Sequence, residues 1–285
     1  MSSRDVLRLT AFSDDPEGGN PAGVVLDAAG MTDAEMLSVA HEVGYSETAF
    51  LFPHKDRENS YQIRYFTPEA EVAFCGHATI ASGVVLGRKN GDGIYELSTN
   101  AGQVEVDVTV AGRSVVATLT SPPATLQPLD PDLVYDILDA FDWDESDLDT
   151  RFTPAVGFVG NAHPILVLDS RETLASMDYD YDVLGDLMKE HGWTTIQLVY
   201  PDEGDPHGRR WHSRNPAPSV GIYEDPATGS AAAALGAYFR DNGIYGVGDH
   251  VTIFQGDDMG RPSSIMLSIG GSRMKVSGTA TDLNY

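Results

Sequence analysis

A chain of 285 residues is long enough for one large domain or two of about 140 residues, and a hydrophobic content of 41% supplies a sizeable core. Forty-three acidic residues against 18 basic ones give a formal charge of −25, which excludes a nucleic-acid footprint and works against attachment to an anionic membrane. A single cysteine, Cys75, excludes an intramolecular disulfide and a Cys-rich zinc site.

Only four of the basic residues are lysines, a surface that suits a salt-rich cytoplasm or an ordinary acidic enzyme. Residues 1–30 lack the basic start and apolar run of a signal peptide, and no segment approaches the ~20 apolar residues that span a bilayer. The expectation is a soluble, cytoplasmic protein with neither nucleic acid nor membrane as partner.

In chain order, "AGVVL" predicts a short strand. "MTDAEMLSVAHEVG" predicts a helix, with Thr32 and Glu35 placed as a capping box and Gly44 as its stop. "TAFLF" and "YQIRYF" are β-rich, "GHATIASGVVLG" is a helix of small residues, and residues 95–119 alternate as strands around turn residues. The Pro-rich stretch "SPPATLQPLDPD" (121–132), without apolar periodicity, reads as a hinge. Beyond it come a helix in "YDVLGDLMKEHG", strands in "TIQLVY" and "RRWHS", an Ala-rich helix after "YEDPATGS", and strands in "VTIF" and "SIMLSI".

The second series repeats the first. At a shift of 148 residues "GYSETAFLFP" (44–53) falls on "GWTTIQLVYP" (192–201), and "YQIRYFTP" (61–68) on "RRWHSRNP" (209–216). The two small-residue helices coincide at nearly the same shift, and "GNPAGVVLD" (19–27) resembles "GNAHPILVLD" (160–169). Four matches in one order indicate an internal duplication whose unit is half the chain. Two equivalent lobes are expected, 1–122 (completed by 279–285) and 123–278, with a small-molecule site in the cleft between them.

In a duplicated chain the chemistry is expected where the copies differ. Glu47 falls on Thr195, so one half carries an acid where the other carries a hydroxyl. A carboxyl on a half-buried strand face is suited to taking and returning a proton near neutrality, although an exposed strand-end Glu would read the same way. His77 falls on Asp225, each near the start of its small-residue helix. Asp225, Thr228 and Ser230 admit two readings, plain helix caps or an anion-binding helix mouth. Asp205, His207 and His212 match no zinc spacing, and no phosphate loop or dinucleotide fingerprint is present, so neither metal nor organic cofactor is expected.

Taken together, "GNPAGVVL", "YSETAF", "YFTPEAEVAFCGHATIAS", "EDPATGSAAAALGAYF" and "FQGDDMGRPSSI" resemble the PhzF family of phenazine-biosynthesis-like isomerases over essentially the whole chain. The resemblance implies an α+β, diaminopimelate-epimerase-like fold of two pseudo-symmetric lobes, each a β-barrel-like sheet around a central helix. It implies Glu47 as catalytic acid/base, with His77 and Asp225 beside the substrate. Gly76, Thr228, Gly229 and Ser230 are its implied binding positions. It further implies a homodimer that moves a proton on a small carboxylate, of the trans-2,3-dihydro-3-hydroxyanthranilate isomerase type, without metal or cofactor. Epimerase relatives use a thiol from each lobe. One cysteine cannot supply that pair, and Cys75, just before its helix, reads as non-catalytic. An amino- or hydroxy-acid racemase, or a non-catalytic binder on the same fold, are the alternatives.

Overall fold

The computed structural model describes residues 5–283; the parts of the expected first lobe at residues 1–4 and 284–285 lie outside the described residues. The chain divides into two compact units, one running to Thr120 and resuming at Ser277, the other Ser121–Val276.

The first unit opens with β1 (Leu7–Ala11) and β2 (Asn20–Val25), antiparallel with Leu9 opposite Ala22. Helix α1 (Asp33–Val43) begins and ends as its sequence dictates. Thr32 and Glu35 form the capping box, and Gly44 terminates the helix in the left-handed region at φ 71°. Strand β3 (Glu47–Pro53) lies parallel to β2, placing Glu47 opposite Ala22. It pairs antiparallel with β4 (Ser60–Phe66), which also carries the short β5 (Glu71–Val72). Helix α2 (Gly76–Asn90) follows. Strand β6 (Gly93–Thr99) lies parallel to β4 and leads into the antiparallel pair β7 (Gly102–Ala111) and β8 (Ser114–Pro123).

Small side chains explain how strands surround α2. Its residues His77 to Gly87 are buried without interruption, as expected of a helix with no solvent face. A Cβ on Gly83 would stand 2.8 Å from a Val106 methyl and 2.9 Å from Ala117, so β7 and β8 approach the helix more closely than any side chain at that position allows. Gly83→Val is therefore expected to destabilise the protein by ~1–3 kcal/mol, the usual cost of overpacking, read as a lower denaturant midpoint. An unchanged midpoint would show that the strand pair can retreat from the helix.

The second unit begins with a departure from the expected hinge. Residues 125–128 form β9 (Thr125–Pro128), antiparallel to β10 (Ala155–Phe158) with Leu126 opposite Gly157, and 121–123 continue β8. Proline removes a donor but tolerates an extended φ at a strand's end, so a Pro-rich stretch without periodicity can still be strand. Helix α3 (Pro131–Ala140), capped by Asp130, buries Ile137 and Leu138. Strand β11 (Ala162–Val167) is followed by α4 (Arg171–Ala175) and α5 (Tyr181–His191), whose Leu184 and Met188 share a core with Ile137 and Leu138.

From there the topology of the first unit recurs. Strand β12 (Gln197–Pro201) lies parallel to β11 and antiparallel to β13 (Arg210–Arg214). A small hairpin, β14 (Pro216–Ala217) and β15 (Ile222–Glu224), precedes α6 (Gly229–Asp241). Strand β16 (His250–Gln255) runs parallel to β13 and pairs with β17 (Ser263–Ser268), as β6 does with β4 and β7. Residues 231–239 of α6 are all buried, and a Cβ on Gly157 would stand 2.7 Å from Ala234. Strand β18 (Arg273–Gly278) leads to β19 (Ala280–Asp282), which pairs with β1 in the first unit. Strands β1, β2, β3, β7 and β19 contact α2, and β9, β10, β11 and β17 contact α6. In each unit a sheet wraps a central small-residue helix.

Candidate active site

The start of β3 and the start of α2 bring four side chains together in the first unit. His77 Nε2 lies 3.3 Å from Glu47 Oε2 and 3.3 Å from Ser46 Oγ, while His77 Nδ1 lies 3.4 Å from Cys75 Sγ. The Glu47 side chain is 20% exposed and that of His77 9%, so the pair is shielded yet reachable. One tautomer satisfies the set: Nε2–H donates to the Glu47 carboxylate and Nδ1 accepts from the thiol. A carboxylate, an imidazole and a thiol in mutual contact can hold, relay and return a proton.

Sequence spacing set Cys75 aside; the structure seats its sulfur against His77. The i, i+2 spacing of Cys75 and His77 spans the extended-to-helical turn at the N-cap of α2, which folds the two side chains onto one another. Ser46 was also passed over. It precedes the first residue of β3, and nothing in a sequence pattern joins it to a histidine 31 positions on.

In the second unit, Thr195, the counterpart of Glu47, is buried and hydrogen-bonds through Oγ1 with His163 Nδ1 at 2.9 Å. Burial depresses the His163 pKa to about 3, so this imidazole stays neutral at ordinary pH. The residue at the place of Glu47 is thus a hydroxyl rather than an acid.

Asp225 lies in the loop before α6, not at the helix start. The stretch from Arg214 to Gly229 is five residues longer than that from Phe66 to Gly76, so the two helices begin 153 residues apart while the strands before them keep the shift of 148. By helix position His77 therefore corresponds to Ser230, Gly76 to Gly229, and Cys75 to Thr228. The extra residues leave Asp225 three positions ahead of the N-cap.

The N-cap side chain of α6 does not cap it, and Asp225 stands outside the N-cap position. Thr228 is the N-cap of α6 but its side chain makes no capping hydrogen bond; its Oγ1 donates instead to Asp225 Oδ2 at 2.5 Å. Cys75, the N-cap of α2, likewise makes none, whereas Thr32, Asp130, Ser170 and Asp180 all cap their helices. Buried Gln255, which the sequence patterns did not single out, fixes the loop. Its Oε1 accepts from Thr228 N at 3.2 Å, and its Nε2 donates to Asp225 O at 2.7 Å and Thr228 Oγ1 at 3.1 Å. Ser230 and Gly229 are half-buried in the first turn of α6.

Both loops are pinned alike. Arg64 on β4 forks onto Glu71 at 2.6 Å through Nε and Nη2, and Arg214 on β13 forks onto Glu224 at 3.0 and 2.6 Å. Each glutamate stands five residues before its central helix. Hydrogen bonds from Arg64 hold the Glu71 pKa below the usual carboxylate range. A surface depression of about 580 Å³ lined by Tyr135, Asp139, Trp143 and Glu145 contains none of these residues.

A sheet wrapped on a buried small-residue helix, present in both units, is the diaminopimelate-epimerase-like fold. Residues 9–284 match the model of the PhzC-PhzF family, phenazine biosynthesis-like proteins. The uncharacterized isomerase YfhB of Bacillus subtilis (strain 168) is 33% identical over 293 residues, covering 99% of this chain and 96% of that protein. A trans-2,3-dihydro-3-hydroxyanthranilate isomerase of Pseudomonas fluorescens is 29% identical over 276 residues, covering 95% of this chain and 94% of that protein. The crystal structure of a PhzF-family phenazine biosynthesis protein of Bacillus anthracis superposes with a TM-score of 0.86 at 23% identity, covering 98% of this chain and 96% of that one. The chain belongs to the PhzC-PhzF family, and it is an enzyme of the isomerase class. No helix among the described residues is long and apolar enough to cross a membrane.

Proposed function

We propose that this isomerase relocates a proton on a small carboxylate, with Glu47 as the single acid/base that removes and returns it and His77 as the partner that orients it. The observation carrying this reading is the Glu47–His77 contact at 3.3 Å on a shielded strand end, against a neutral Thr195–His163 pair at the duplicated position. A racemase or epimerase generally needs a base on each face of the carbon. One carboxylate in two copies favours a shuttle that lifts a proton from one carbon and sets it on another. An isomerase reaction agrees with the name of the Pseudomonas fluorescens relative; the substrate of this chain is proposed only as a small carboxylate. Neither metal nor organic cofactor takes part in this scheme.

In the same reading the Asp225–Ser230 turn binds the substrate. Asp225 is a further catalytic group by the family resemblance, and Gly76 in the first unit and Thr228, Gly229 and Ser230 in the second stand at the starts of their helices, where backbone N–H groups favour an anion. Asp225→Asn separates binding from scaffolding. Losing a charge-assisted hydrogen bond of ~1.5–3 kcal/mol lowers kcat/KM by roughly 10- to 100-fold, with little change in melting temperature. Full activity in this variant would return Asp225 to a scaffolding role.

The test of the function itself is isotopic. The enzyme is incubated with a panel of small carboxylates, trans-2,3-dihydro-3-hydroxyanthranilate among them, in D₂O after dialysis against a chelator. An isomer that carries partial deuterium at one carbon is expected, because a shielded carboxyl returns some of the substrate's own proton. Activity that vanishes on dialysis and returns with a metal would overturn the scheme.

A further inference from the structure

Glu47, Cys75 and His77 do more than contact one another in pairs. Among the described residues they are the one group of three or more His, Cys, Asp or Glu whose ligating atoms lie within 4.8 Å of one another, here a carboxylate oxygen, a thiol sulfur and an imidazole nitrogen. From His77 Nε2, the Glu47 Oε2 atom stands at 3.3 Å and Cys75 Sγ at 3.8 Å. In a tetrahedral zinc site, with Zn–S of ~2.3 Å and Zn–N and Zn–O of ~2.0 Å, the nitrogen–oxygen edge is roughly 3.3 Å and the nitrogen–sulfur edge roughly 3.5 Å. The side chains stand within a few tenths of an ångström of those edges.

We propose that Glu47, Cys75 and His77 bind a zinc ion reversibly, and that the bound ion blocks the enzyme by occupying its acid/base. The charges agree with this. A thiolate, a carboxylate and a neutral imidazole together carry −2, which a divalent cation cancels, so the filled site is neutral where it is buried. Binding releases the Cys75 thiol proton to solvent and therefore strengthens as pH rises. His77 takes its other tautomer, the proton passing from Nε2 to Nδ1, so that the Nε2 lone pair serves the ion in place of the hydrogen bond to Glu47. Three protein ligands leave a fourth position for water. The thiolate selects zinc over magnesium and calcium, which take six or more ligands, chiefly oxygen, and the formal charge of −25 raises the local concentration of cations. The block rests on the role assigned to Glu47; the binding does not.

Cobalt(II) reads the site without any substrate. One equivalent titrated into the metal-free protein is expected to produce a thiolate-to-cobalt charge-transfer band and the intense visible bands of a tetrahedral ion, both discharged by zinc and not by magnesium. Cys75→Ala is expected to abolish the charge-transfer band and to weaken zinc binding by at least ~10- to 100-fold, since even a change behind the ligands costs that much. Glu47→Gln keeps the band and also weakens zinc. No charge-transfer band, or zinc affinity unchanged in Cys75→Ala, would overturn the site and place any remaining zinc binding elsewhere on the chain. Zinc-saturated enzyme that still turns over would uphold the site and overturn both the block and the role of Glu47.

Discussion

Glu47→Gln is expected to cut turnover by ~10²–10⁴, the range that general acid–base catalysis supplies, while fold and ligand affinity persist. The amide keeps the shape of the side chain and can still meet His77 Nε2, 3.3 Å away in the wild type, but it has no proton to exchange. Glu47 sits on the first residue of β3, whose register against β2 and β4 is fixed by backbone pairing on both sides. The substitution therefore leaves the strand in place. Single-turnover assays beside a thermal melt and a ligand titration separate the outcomes. A loss below tenfold would remove Glu47 from the chemistry, whereas a lost melt transition would mean that its role is structural.

Glu224→Gln is expected to cost about 3–5 kcal/mol of stability, because it leaves a buried guanidinium without its counter-charge. The Arg214 and Glu224 side chains are 8% and 3% exposed, and Arg214 also donates to Leu174 O and Ala175 O at the end of α4. Burial works against the Arg214 charge, and its hydrogen bonds to Glu224 more than offset it, so the net pKa is raised. The parallel pair in the first unit is a control. Arg64 and Glu71 are 18% and 27% exposed and Arg64 also holds Asp33 at 2.7 Å, so water and the second carboxylate compensate a lost partner and Glu71→Gln is expected to cost ~1 kcal/mol or less. Denaturant midpoints of the two variants, measured together, check the contrast. Equal losses would mean that burial does not set the value of these pairs. Replacing both Arg214 and Glu224 by Met is expected to recover much of the loss, since no charge is then left unpaired.

Much of this architecture was legible because it rests on local signals. The Thr32–Glu35 capping box and Gly44 fixed α1 to the residue, and unbroken runs of small residues marked α2 and α6 as helices with strands close on all sides. Glu47 and Thr195 stood out because a duplicated chain compares each position with its own copy. The Pro-rich segment opens where the second unit begins, as a hinge between halves should, but its lack of periodicity concealed a strand, because β9 is decided by its partner β10.

What the sequence alone determined is which residues could do chemistry and roughly where the elements lie, because propensity, capping and periodicity act over a few neighbouring residues. Tertiary structure decided which of them meet. A five-residue difference in loop length moved Asp225 off its helix and aligned Cys75 with Thr228. The N-cap turn of α2 folded Cys75 onto His77, the start of β3 carried Ser46 and Glu47 to the same imidazole, and Gln255 reached Thr228 across 27 residues. Such contacts follow from strand register and backbone direction at a few turns, which depend on packing partners distant in the chain, and no pattern along the sequence contains them.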